Sequence, residues 1–213
     1  MKKQFTLIVF FTFLTITSFA QNATYEATMS KTIVQMRDAK TIDGLQQTAN
    51  IFERVALAEK QEWLPLYYAT LSYINKSSRE KEDAKKDQYL DKAQTHIDKA
   101  LKLSPKESEL YVLQGYLHLI RIGVSPMVRG MKYSGLATEA LEKAKKLNPA
   151  NPRAYFLLGS TKFNTPAMFG GGPEAAKPIL TEAKAKFKNQ QPASAIAPNW
   201  GEKQTLALLE QCK

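Results

Sequence analysis

Residues 89–103 read "YLDKAQTHIDKALKL", and residues 136–149 read "LATEALEKAKKLNP". In the first stretch Leu90, Ala93, Ile97, Ala100 and Leu101 recur at helical spacing, and Ser104-Pro105 follows as a stop. In the second, Ala137, Leu141, Ala144 and Leu147 recur in the same way before Pro149. Both are amphipathic helices whose apolar stripe is built largely of alanine. Small residues on such a stripe let a neighbouring helix approach closely.

Aligning the two stretches exposes a period. Ala93, Ala100, Pro105, Tyr111 and Gly115 recur as Ala137, Ala144, Pro149, Tyr155 and Gly159, each 44 residues on. Ala137, Leu141 and Ala144 recur again as Ala176, Leu180 and Ala183, each 39 residues on. Fixed-offset self-similarity signals helix pairs that stack because no pair buries its apolar face alone. No long run alternates apolar and polar residues, so no strands are expected.

An aromatic and a glycine four apart, then Ala, a large apolar residue and Ala, then Pro, resemble the tetratricopeptide repeat. Tyr111/Gly115 and Tyr155/Gly159 carry the first part. Ala93/Ile97/Ala100/Pro105, Ala137/Leu141/Ala144/Pro149 and Ala176/Leu180/Ala183 carry the second. The chain resembles exported tetratricopeptide proteins of Gram-negative bacteria and, more loosely, the periplasmic tetratricopeptide component of substrate-binding transporters. The resemblance implies an all-α solenoid of antiparallel helix pairs, at about 22–60, 61–104, 105–149 and 150–188. A capping helix over 200–212, "WGEKQTLALLEQC", closes it.

The repeat is longer than the family's roughly 34 residues. Gly115 to Ala137 spans 22 residues and Gly159 to Ala176 spans 17. The insertions all fall inside a pair, as loops expected to stack along one edge. Met127, Arg129, Met131, Met168 and Phe169, with Val128 and Lys132, form a candidate loop ridge there. By family position the concave groove would be lined by Tyr67, Leu71, Val112, Tyr116, Leu119, Phe156, Ser160 and Phe163. That face is apolar and aromatic, and suits a hydrophobic peptide or ligand better than a charged tail.

The first 20 residues read as an export signal. Lys2 and Lys3 precede the apolar run Phe5 to Phe19, and Ser18-Phe19-Ala20 suits cleavage after Ala20. A single domain over 21–213 and a periplasmic or secreted location follow as expectations. The chain carries a net charge of +10, but its lysines alternate with acids, which is the pattern of solvated helix faces, and export argues against nucleic acid. No stable membrane span is expected after cleavage. Cys212 is the sole cysteine, so no internal disulfide supports the fold.

His96 and His118 stand apart, without ligand spacing, and no metal or cofactor is called for. No nucleophile elbow, phosphate loop or dinucleotide fingerprint occurs, so no catalytic residues are expected. The triple glycine in "NTPAMFGGGPEAAKPIL" (164–180) is read as a tight turn into a helix opened by Pro173. The leading functional expectation is an interaction scaffold for a protein or peptide partner in the envelope. The alternative is a small-ligand carrier associated with a transporter.

Overall fold

The computed structural model describes residues 23–212, so the expected export signal lies outside the described residues. Those residues are helical and contain no strand. The order is α1 (23–38), α2 (Ile42–Ala58), α3 (Leu64–Arg79), α4 (Asp83–Leu103), α5 (Ser108–Val124), α6 (Pro126–Leu147), α7 (Pro152–Asn164), a 3-10 turn (Ala167–Phe169), α8 (Pro173–Asn189) and α9 (Glu202–Glu210).

Local chemistry sets the helix starts. The Thr41 hydroxyl accepts from Gly44 N at 3.0 Å and caps α2. Glu107 and Asn151, at equivalent repeat positions, each accept from the backbone N–H two residues on and start α5 and α7. Pro126, Pro152 and Pro173 occupy first turns, where a missing N–H costs nothing.

Helices pack as neighbours in the chain, α3 on α4, α5 on α6 and α7 on α8. A second set of contacts joins α3 to α5 and α5 to α7, which form one layer of the stack. The repeat glycines sit where the pairs close. A Cβ on Gly115 would stand 2.7 Å from Leu141 Cγ, and one on Gly159 would stand 2.6 Å from Leu180 Cδ2. Ala93, Ala100, Ala137, Ala144, Ala176 and Ala183 are fully buried beside these crossings. Tyr155 is buried. Tyr111 is half-exposed and donates from its hydroxyl to Pro105 O at 2.8 Å.

The insertions are not the loops expected from the sequence. Residues 126–135 are the opening turns of α6, and only Ser125 separates α5 from α6. Two features favour the helix here, against the poor helix preference of Gly130 and Gly135. Pro126 fits the first turn, and Arg129 pairs bidentately with Asp87 of α4 at 2.6 and 2.7 Å. The triple glycine does form a turn. Gly170 (φ 75°) and Gly172 (φ 98°) take conformations that favour glycine, and Gly172 N–H donates to Lys162 O.

Residues 190–201 form a strap without regular secondary structure that leaves α8 and returns to the α3–α5–α7 layer before α9 begins. Ile196 is buried in the core cluster of the first helices, alongside Tyr67 and Tyr68. Cys212 is fully buried in the cluster around α7 and α8. None of the described helices is long and apolar enough to cross a membrane.

Candidate functional site

The strap and the helix layer enclose a cleft of about 530 Å³. α1 supplies Ile33, Met36 and Arg37. α3 supplies Tyr68, Leu71, Asn75 and Arg79, spaced three and four apart so that they share one helix face. α5 supplies Tyr116. The strap and the first turn of α9 supply Asn199 to Gln204.

Trp200 is the centre of this arrangement. Its ring lies 5.6 Å from Tyr116 at 31° and 6.3 Å from Phe156 at 76°. Its indole Nε1 donates to Tyr67 Oη at 2.7 Å. The Tyr68 hydroxyl donates to Ile196 O at 2.7 Å, which ties the strap to α3. Gly201 has φ +106°, and a Cβ there would stand 2.8 Å from Phe187 Cζ. Only glycine lets the chain turn so close to α8.

A buried ion pair holds the strap from the other side. Arg153, with 1% of its side chain exposed, binds both oxygens of Glu109 at 2.8–2.9 Å. Its remaining nitrogen donates to Trp200 O at 3.3 Å and Gln190 Oε1 at 3.4 Å. Burial pushes the Glu109 carboxyl up, and the guanidinium opposes that shift. Glu109 and Arg153 occupy equivalent positions, 44 residues apart, so the pair joins successive repeats.

The rim of the cleft carries Arg37, Arg79 and Lys203 with the carboxylate of Glu202, and Asp38 stands 3.5 Å from Arg37. Inside, Tyr116 is enclosed enough that burial raises its phenol above the usual range, so it is neutral at ordinary pH. Two other clefts differ in character. One of about 760 Å³ between α6, α7 and α8 carries Glu139, Glu142 and Glu182 beside Lys145 and Lys162. One of about 540 Å³ between α1 and α2 is lined by Tyr25, Ile51 and Val55, with Arg54 and Glu59 at its edge.

Among the groove residues expected from the sequence, Leu71 and Tyr116 line the central cleft. Tyr67 is fully buried, with its hydroxyl bonded to Trp200, and Phe156 packs against the Trp200 ring. Val112 is core. Leu119 and Phe163 are half-buried against the α7–α8 cluster, and Ser160 is half-buried on α7. The ridge residues Met127, Arg129 and Met131 lie on α6 and Met168 and Phe169 on the 3-10 turn, away from the cleft. The residues missed are Ile33, Met36, Arg37, Tyr68, Asn75 and Arg79. The α3 stripe was recoverable by starting at Tyr68 instead of Tyr67, a shift of one residue. Trp200 stands at the head of the expected capping helix, where no local pattern marks it as a cleft residue.

Neither histidine lines the cleft. His96 Nε2 bonds Glu53 at 2.9 Å and its ring stacks on Tyr73. His118 Nε2 bonds Gln114 at 2.9 Å, and burial, reinforced by Arg121, lowers its pKa to about 4. No group of three or more potential metal ligands occurs among the described residues.

No protein-family model and no curated protein matches the chain. Among solved structures, the HusA haemophore from Porphyromonas gingivalis matches at 30% identity with a TM-score of 0.80. The match covers 89% of this chain and 92% of that one. This corrects the tetratricopeptide assignment, including its link to a transporter component. Alanine stripes and helix-crossing glycines belong to any closely stacked helix pairs, and the 22- and 17-residue spans inside the pairs are a different build. By fold, length and sequence, the chain belongs to the family of the HusA haemophore.

Proposed function

We propose that this protein is a haem carrier whose cargo lies in the cleft between α1, α3, α5 and the strap. The carrying observation is the composition of that cleft, an aromatic and aliphatic wall with three cations at its rim. Haem is a flat apolar macrocycle with two carboxylates on one edge. Tyr68, Leu71, Ile33, Met36, Tyr116 and Trp200 would bury its faces, and a ring stacked on an aromatic gains about 0.5–1.5 kcal/mol beyond area burial. Arg37, Arg79 and Lys203 would meet the carboxylates. These cations are solvent-exposed, so each pair contributes only about 0.2–1 kcal/mol and mainly orients the ligand. The volume lies within the usual range of small-molecule sites.

The kinship with a haemophore overturns the leading expectation of a protein- or peptide-binding scaffold. It supports the small-ligand alternative. The indole–Tyr67 bond and the Arg153 anchor hold Trp200 before any ligand arrives, which lowers the entropy cost of binding. The carrier would work as one domain over 21–213, exported and cut after Ala20, with no catalytic step.

Absorbance titration of the mature chain with haemin tests the reading. Saturable binding is expected, with Tyr116→Ala weakening it by about tenfold or more, equivalent to roughly 1.4 kcal/mol. Absence of saturable binding, or an unchanged affinity in a variant that keeps the native helical signal, rejects this site.

A further inference from the structure

Five large apolar side chains stand out from the surface beyond the central cleft. Met127 is 101% exposed, Met131 93%, Val128 81%, Met168 83% and Phe169 71%. The first three lie on the opening turns of α6 and the last two on the 3-10 turn after α7. Because α5 and α7 pack side by side in one layer, the turns that follow them share an edge. Met127 and Met131 are i, i+4 neighbours, and Met131 stands one helical turn before Ser134 and Gly135. Those two residues line the α6–α8 cleft together with Phe169. The α6 stripe and the Phe169 turn therefore flank one cleft as the two apolar tips of a crest.

The crest is rigid. Arg129 clamps it to Asp87, Arg121 binds Asp91 at 2.7 Å, and two glycines hold the following turn. The two segments that carry it hold cations alone. Residues 121–138 and 154–173 contain Arg121, Arg129, Lys132 and Lys162 and no acid. The two arginines are satisfied by Asp87 and Asp91, which leaves Lys132 and Lys162 as the cations that flank the apolar tips. Glu139 follows the first segment and Glu174 the second, and of the other acids in the adjoining cleft Glu142 pairs with Lys145 at 3.1 Å and Glu182 with Lys186 at 3.3 Å.

We infer that this crest docks the carrier on an anionic lipid surface. The tips project outward, and none of Met127, Val128, Met131 or Met168 lines a cleft. A bilayer interface accepts such protrusions without a matching pocket. Apolar side chains enter the headgroup boundary while lysines meet anionic headgroups, a pairing that gives reversible attachment. The central cleft lies away from the crest and would stay open to cargo.

Sedimentation of the mature chain with vesicles tests this. Vesicles of phosphatidylcholine with a quarter phosphatidylglycerol are expected to carry the protein down, and phosphatidylcholine alone much less. The variant M127D/M131D/F169D changes only exposed positions and should lose about tenfold or more in partitioning. It should keep its helical signal and its haemin titration. K132E/K162E should lose the preference for the anionic vesicles. Three results would overturn the inference: no sedimentation with anionic vesicles, undiminished sedimentation of the triple variant, or a wild-type dimer that the triple variant converts to monomer. The last would assign the crest to a second copy of the chain.

Discussion

The α7–α8 half and the α1–α3–α5 half meet the same strap in opposite ways. Against α7 and α8 the strap lies tight. Gly201 rests on Phe187, the Trp200 ring abuts Phe156, and Arg153 binds the Trp200 carbonyl. Against α1, α3 and α5 the strap buries Ile196 and touches at Tyr67, Tyr68 and Tyr116, and beside those contacts it leaves a cleft of about 530 Å³. The repeat therefore supplies two comparable platforms, and one non-repeating segment closes one and roofs the other.

The largest expected effect comes from cutting the anchor that makes the halves differ. Arg153→Met leaves Glu109 buried without its partner, which costs about 3–5 kcal/mol. Urea denaturation should register that loss, and Trp200 emission should shift toward that of exposed indole. Adding Glu109→Gln should recover part of the stability but not the emission, because the Trp200 carbonyl still lacks its donor. If the single variant unfolds like wild type, the ion pair does not hold the strap.

A smaller effect tests whether the two platforms are equivalent. Gly115→Ala and Gly159→Ala each place a Cβ under 3 Å from a leucine of the paired helix. Overpacking costs about 1–3 kcal/mol, while alanine's helix preference over glycine returns about 1 kcal/mol. Net destabilisation of similar size is expected in both by thermal unfolding. A stabilised variant at either site would break the equivalence.

The smallest effect lies away from the strap. The folded pKa of His118, about 4, is below the roughly 6.5 of an unfolded histidine. As pH falls, the unfolded chain takes up the proton first. The related stability is thus full above pH about 6.5 and is lost toward pH 4. His96 is shifted in the same direction by burial, so His118→Gln should flatten only part of the fall in melting temperature between pH 7 and 4.5. Identical slopes in the variant and wild type would remove His118 from the account.

Much of the helix layer was legible in residue spacing. Ala137, Leu141 and Ala144 announce a helix and its buried face, and Gly115 and Gly159 announce the crossings, because period and side-chain size are local properties. Pro166 and the triple glycine likewise announced their turn. Helix ends were less legible. Residues 126–135 contain Pro and two glycines and read as a loop, yet the distant Asp87 holds Arg129 and the segment is helical. That pairing spans 42 residues and leaves no local trace.

The sequence by itself determined an all-helical chain, the offset of its paired helices and the positions where they touch. It could not determine which of several aromatics face a common space. Tyr68 rather than Tyr67 reaches the cleft because α3 is rotated to bury Tyr67 beneath Trp200, a residue 133 positions away. Arg37, Arg79 and Lys203 come from three helices that carry no shared motif. Helical periodicity is written into neighbouring residues. A binding cleft is made by the return of the strap, and its geometry is settled only when that strap packs.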